Sequence, residues 1–325
     1  DRPKRRLTAR PRPFRPVTKP AFSHRTLALM AATAAGIIYG INHTIAKGLM
    51  PAVIEPHGFI LLRVVGAAMA FWVLSLLGPR ERLERRDWGL LLLCAFFGMS
   101  LNMTSFFKGL ALSTPINSSV VITIVPVILL ILGRLFLKER IAWQKTFGIF
   151  LGLAGAVGLI LLDVPQQLNA PNIPLGNFYF VMNALSYSIY LIIVKPLTAK
   201  YHVLTLMRYF FTVAVVINLP LGYQEFVAVA WSELTPVIIG QLSFVVLGTT
   251  VLTYLFNIYA LKHLSPSTIG AFIYLQPVVA TIVALWVGVD QLTPLRCVTA
   301  LMIFTGVYLS SQKRKLRKNE PVKAP

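Results

Sequence analysis

Acidic residues are scarce. Only 11 of the 325 residues are Asp or Glu, and each of them lies in a loop, in a tail or at the end of an apolar run. Within the runs this excludes two chemistries. No carboxylate pair is available for general acid and base work, and no buried acid offers the usual proton or sodium site of a coupled carrier. Cysteine is rarer still: Cys94 and Cys297 supply neither a disulfide framework nor metal-ligand spacing, and both read as packing residues. A membrane-embedded enzyme would need a nucleophile, a metal or a carboxylate cluster at one depth, and the runs contain none, so no cofactor is implied. Charged residues of both signs make up 13% of the chain, against about 25% in soluble domains.

What fills the chain instead is apolar sequence. Ten runs of about 20 residues, each long enough to cross a ~30 Å hydrocarbon core as a helix, lie near 27–47, 58–77, 88–108, 116–137, 143–162, 176–195, 203–221, 236–257, 266–287 and 294–311. The connections are too short for a separate soluble domain. The first run carries His43 and Lys47 and lacks a small-residue cleavage site, so it reads as a span rather than as a signal sequence.

The formal charge of +20 would suit nucleic acid, but the placement of the bases points to a lipid bilayer. Of the 31 Lys and Arg, nine lie in residues 1–25, six follow Gln312, and others cluster in alternate loops, as Arg80, Arg82, Arg85 and Arg86 do. The intervening connections "DVPQQLNAPNIP" and "LGYQEFVAVAWSELTP" contain none. The positive-inside rule then puts both termini on the cytoplasmic side of an inner (plasma) membrane, as an even number of spans requires. The proline-rich tail "DRPKRRLTARPRPFRP" forms neither a regular transit-peptide helix nor a nucleic-acid arm.

The chain also repeats itself. Thr114-Pro115 matches Ser265-Pro266, Pro126 matches Pro277 and Glu139 matches Asp290, each at a separation of 151. Tyr39 with Tyr187 and Lys47 with Lys195 are 148 apart, and Arg63 with Arg208 are 145 apart, a drift that loops of unequal length explain. Each half holds five spans, and an odd number inserts the second half upside down. The expected fold class is therefore an all-α membrane protein with ten transmembrane helices in two inverted five-helix repeats. Its expected parts are a basic tail at 1–26, repeats at 27–162 and 176–311, a linker at 163–175 and a basic tail at 312–325. Inverted repeats are characteristic of secondary transporters, whose substrate site lies near the midplane between the halves.

In the repeated motif, Pro126 and Pro277 each remove a helical hydrogen bond and clash with the carbonyls of Ile122 and Ile273, so the helix should kink there. An unpaired carbonyl costs several kcal/mol in lipid, which directs the kink toward protein or a wet cavity. These prolines are the hinge candidates, with the fourth and ninth spans moving against the first and sixth. The polar residues expected to line the cavity are Tyr39, Asn42, His43, Asn102, Asn117, Tyr187, Tyr190, Tyr254, Asn257, Tyr274 and Gln276. Among groups in the middle of a span, only His43 is of a type that titrates near neutral pH; an interhelical hydrogen bond is its plain role and ion coupling the alternative. Arg63 and Arg208 lie a few residues inside their spans. They either snorkel to headgroups or attract an anionic group of a substrate. In the fifth span, Gly148, Gly152, Gly155 and Gly158 make a close-approach face, expected to pack within the chain, with a homodimer contact as the alternative.

The segments "GLALSTPINSSVVITIVPVILLILGRLFLKERI" and "ALKHLSPSTIGAFIYLQPVVATIVALWVGVDQLT" resemble the drug/metabolite transporter superfamily, EamA branch, over residues 27–311. The resemblance implies a bundle with a central cavity, exporting amino acids, related metabolites or drugs, with the fifth and tenth helices peripheral. It departs from the family pattern where most relatives have Glu before the central proline: here Val125 and Gln276 stand, which removes a buried acid. A small-molecule substrate and a bilayer are the expected partners. A carrier of phosphorylated or nucleotide-linked solutes is the main alternative, and a channel a more distant one.

Overall fold

The structure is a computed structural model and describes residues 23–79, 81–113, 118, 121–138, 141–161, 171–286 and 294–312. Among them there is no strand. The helices are α1 (His24–Leu49), α2 (Pro56–Ser75), α3 (88–112), α4 (Val125–Phe136), α5 (Trp143–Leu161), α6 (Ile173–Ile193), α7 (Val203–Val227), α8 (236–263), α9 (266–286) and α10 (Pro294–Ser311). A short helix, Lys195–Lys200, continues α6. Five described segments are long and apolar enough to cross a membrane by themselves, and Val125–Phe136 and Cys297–Ser311 are shorter apolar helices. Large apolar side chains such as Met69, Leu77, Phe136 and Leu301 remain exposed, as a lipid-facing surface requires. The chain is a multi-pass membrane protein.

Helix starts follow local chemistry. Ser23 Oγ accepts from the Thr26 amide, Asn172 Oδ1 from the Leu175 amide, and Pro56 and Pro266 occupy first-turn positions where a missing N–H costs nothing. At the start of α2, Glu225 of α7 takes the amides of His57 and Gly58 at 2.7 and 2.8 Å, serving as a cap from another helix.

The packing follows the repeat. Three helices lie against their own counterparts: α2 on α7, α4 on α9 and α5 on α10. The other contacts come as mirrored sets, with α1 on α8 and α9, and α6 on α3 and α4. Each half therefore lends its first helix to the other, producing the groups α1–α8–α9 and α6–α3–α4. Both α3 and α8 contain a π-helical segment, Phe96–Leu101 and Phe244–Leu252, and these end 151 residues apart. The glycine face of α5 is occupied by α10 of the same chain: a Cβ on Gly148 would lie 2.7 Å from the Gly306 carbonyl oxygen.

Candidate functional site

One cavity of about 850 Å³, its opening included, lies where the two groups meet. Its walls come from α1, α2, α3, α4, α6, α8 and α9, with residues 121–122 just ahead of α4. The broken helices supply part of the lining. Helical geometry lapses at Thr123 and Ile124 and restarts as α4 with Pro126 in its first turn. In α9 a 3₁₀ turn, Phe272–Tyr274, separates two α-helical pieces, and Pro277 lies in the second. Ile122, Val125, Ile273 and Gln276, which bracket these interruptions, all line the cavity. Side chains in and beside the interruptions thus reach the cavity, while Ile124 is 43% exposed and Tyr274 points away toward Gly152. Against α9, α1 approaches closely: a Cβ on Gly40 would lie 3.0 Å from the Gln276 carbonyl oxygen and 2.7 Å from Val279.

Of the residues expected in the wall, Tyr39, Asn42, Asn102, Tyr187, Tyr254, Asn257 and Gln276 line the cavity. Asn102 and Asn183 join α3 to α6: the Asn183 amide donates to the Asn102 carbonyl at 2.8 Å, and the Asn102 amide donates back at 3.4 Å. Asn257 Nδ2 donates to the Tyr187 hydroxyl at 3.3 Å, linking α8 to α6. Asn42 is buried, and among the described residues its Oδ1 has no hydrogen-bond partner.

Two expected residues stand behind the wall instead. Tyr190 packs over Gly98, where a Cβ would come within 2.4 Å of its ring, and against Phe210. Tyr274 is fully buried on Gly152 of α5. Asn117 lies outside the described residues, as do the side chains of His43 and Lys47. Arg208 lies outside the cavity: its Nη2 donates to the Glu81 carbonyl at 3.0 Å, and its guanidinium stacks over Tyr209 and Trp72.

Arg63 behaves differently from its repeat counterpart. It is 5% exposed and lines the cavity. Its Nε donates to Thr250 Oγ1 at 3.0 Å, its Nη2 donates to the Thr249 carbonyl at 3.3 Å, and its guanidinium lies 4.9 Å from the Phe107 ring centroid. The acceptors belong to the π-helical segment of α8, where the widened turn leaves backbone carbonyls open to side-chain donors. The equivalent carbonyl of α3, that of Gly98, accepts from the Tyr254 hydroxyl at 2.8 Å. Tyr254→Phe should therefore strand this carbonyl and lower stability by about 1–2 kcal/mol, read as a lower unfolding temperature in detergent.

Sequence reasoning missed several wall residues. Met103, Phe106, Phe107 and Asn183 line the cavity, together with Ala32, Ala35 and Gly36 on α1. The small residues of α1 recur at helical spacing, a signal that could have marked this face.

A bundle of two interleaved repeats around a central cavity is the architecture of a membrane transporter. The chain belongs to the EamA-like transporter family, which matches it twice, over residues 26–161 and 174–312. It is similar to an uncharacterized transporter of Archaeoglobus fulgidus, 25% identical over 80% of this chain and 90% of that one. A probable terminal-alkyne amino-acid exporter of Streptantibioticus cattleyicolor is 27% identical over 81% of this chain and 86% of its own length. An S-adenosylmethionine uptake transporter of Rickettsia felis is 29% identical over 61% of each chain. A solved crystal structure superposes with a TM-score of 0.71 at 16% identity, covering 88% of this chain and 96% of the other, and shares the fold. The relatives are named as transporters, and the chain is a transporter rather than an enzyme.

Proposed function

We propose that the protein is a secondary carrier working by alternating access, which exports a small amphipathic metabolite, an amino acid, a related metabolite or a drug, across the inner membrane with both termini cytoplasmic. The observation that carries this reading is the cavity at the junction of the repeats, lined in part by residues in and beside the interruptions of α4 and α9. Its mixture of aromatic rings with a few amides and hydroxyls suits a solute with both apolar and polar parts. The exporter relative, aligned over most of both chains, supports the direction. The charge distribution supports the orientation. Residues 27–162 and 176–311 act as the two repeats, joined by 163–175 and flanked by tails 1–26 and 312–325. A phosphorylated or nucleotide-linked solute is a poorer match, since Arg63 is the one base among the described lining residues.

We infer the movement from the packing: α1 lies on α9 and α6 on α4, so the groups α1–α8–α9 and α6–α3–α4 move as bodies, with Pro277 and Pro126 as the points where α9 and α4 bend within them. The two groups are tied at the base-rich end. Lys195, just past α6, donates to the carbonyls of Leu261 and of Leu264, the latter at 2.9 Å, and Lys262 of α8 donates back to the Tyr201 carbonyl at 3.0 Å. An ammonium at a helix C-terminus satisfies carbonyls that the helix leaves unpaired and lies at the negative end of its dipole. Lys195 is thus a latch that holds the cytoplasmic end closed. In the sequence Lys47 precedes Lys195 by 148 positions, and Leu110 and Ser113 precede Leu261 and Leu264 by 151; the side chain of Lys47 lies outside the described residues.

Counterflow in proteoliposomes tests the carrier reading. Vesicles preloaded with an unlabelled solute identified by ligand stabilisation should transiently accumulate the labelled solute above equilibrium. Uptake that merely approaches equilibrium at the rate of diffusion through a pore would refute it.

A further inference from the structure

Arg63 brings a charge into the cavity for which the described chain supplies no counterion. The ion pairs among the described residues join Glu225 to His57, Glu84 to Arg86 and Lys200, and Asp87 to Lys200, all at helix ends. The protein acceptors of Arg63 are a hydroxyl and a carbonyl, both neutral, and they take two of its five N–H donors. A buried guanidinium without a carboxylate is costly, and an intramembrane cation facing a cavity is a functional group by default. Nor does any acid among the described lining residues offer a partner for a solute ammonium. A second feature points the same way: Asn42 Oδ1, buried in the same cavity, is an acceptor without a donor among the described residues.

From this arrangement we infer that the cavity selects a monoanionic organic carboxylate whose apolar body carries one neutral N–H or O–H donor, rather than a zwitterion, a cation or a dianion. The inference rests on the carrier reading above and narrows its substrate class, setting aside the zwitterionic amino acids named there. The carboxylate takes the free N–H groups of Arg63 in a charge-assisted, fork-shaped pair. The neutral donor satisfies Asn42. The body lies against Met103, Phe106, Phe107, Ile122 and Phe272, which give the wall its apolar character. A zwitterionic amino acid would place its ammonium in a site that offers only neutral acceptors. A dianion would bury a second negative charge beside a single base.

The test uses four matched probes with the full-length protein in detergent: N-acetyl-phenylalanine, its neutral amide, free phenylalanine and phenyl phosphate. Affinity is measured by calorimetry. N-acetyl-phenylalanine should bind at least ~10-fold more tightly than the other three. Arg63→Gln should weaken it by about 100-fold, the scale of a lost charge-assisted pair, and move the neutral amide by less than ~3-fold. Arg63→Lys, which keeps the charge but loses the fork, should recover part of the loss and carries the test if the Gln variant does not fold. Equal affinity for phenylalanine and its N-acetyl derivative overturns the inference. So does tighter binding of phenyl phosphate, an equal effect of the variants on acid and amide, or no binding of the acid at millimolar concentration. Counterflow separates this inference from the reading beneath it. Counterflow of a zwitterion leaves the carrier standing and removes the monoanion. Arg63-dependent binding of the acid without counterflow of any bound solute keeps the site and removes the carrier.

Discussion

Lys195→Met is expected to open the cytoplasmic end of the cavity. The readout is a cysteine placed at Ile269, a cavity residue in the first turn of α9, in a background with Cys94 and Cys297 replaced. A membrane-impermeant maleimide is added from the base-rich side. Loss of the ammonium removes its bonds to the Leu261 and Leu264 carbonyls. One such charged hydrogen bond is worth about 1.5–3 kcal/mol, so the equilibrium between the two facing states should shift by roughly 10- to 100-fold, and labelling should rise in proportion. Turnover should fall, because a cycle needs both states. Labelling at the parent's rate would disprove the latch.

Much of this arrangement is legible in the chain because length and offset are robust signals. A run of about 20 apolar residues has few alternatives to a membrane helix, and a proline pair at one fixed separation survives any drift in loop length. The interruptions are located less well. The proline removes a bond and crowds the preceding turn, so the break shows up at Thr123–Ile124 and Phe272–Tyr274 rather than at the prolines themselves. The role of Arg63 was not readable. Snorkelling and cavity lining place the same residue at the same depth, and only the rotation of α2 against α7 and α8 separates them. The π-helical segments explain other misses. Each widens the helical turn and rotates everything beyond it relative to 3.6-residue counting, so Phe106 and Phe107, beyond the segment in α3, come to face the cavity unannounced. Tyr190 and Tyr274 were misassigned for a different reason. A polar aromatic in a span reads as a cavity residue until a glycine on a neighbouring helix gives its ring somewhere else to lie.

Such a glycine crossing carries the largest expected loss of stability. Where α10 crosses α5, a Cβ on Gly306 would lie 2.5 Å from the Gly148 carbonyl oxygen, 2.6 Å from the Gly152 amide nitrogen and 2.8 Å from its Cα. Every one of these atoms is backbone, so no rotamer change can relieve the overlap and the two helices must separate. In lipid, association of such helices depends on close packing rather than on a hydrophobic drive, and separation forfeits contacts along the whole crossing. Gly306→Ala should therefore cost about 3 kcal/mol, the upper end of the overpacking range, and Gly306→Leu should leave no monodisperse protein. Tyr274, which holds up the rear of the cavity wall, rests on the same Gly152, so ligand binding should fail along with the crossing. Gly240→Ala is the control: a Cβ there meets nothing within 4 Å, and replacing an interior helical glycine should stabilise by up to about 1 kcal/mol. Unfolding temperatures of Gly306→Ala, Gly240→Ala and the parent in one detergent, with size-exclusion profiles for Gly306→Leu, decide the matter. If Gly306→Ala melts with the parent, the two helices do not touch as described and the rear wall of the cavity has some other support.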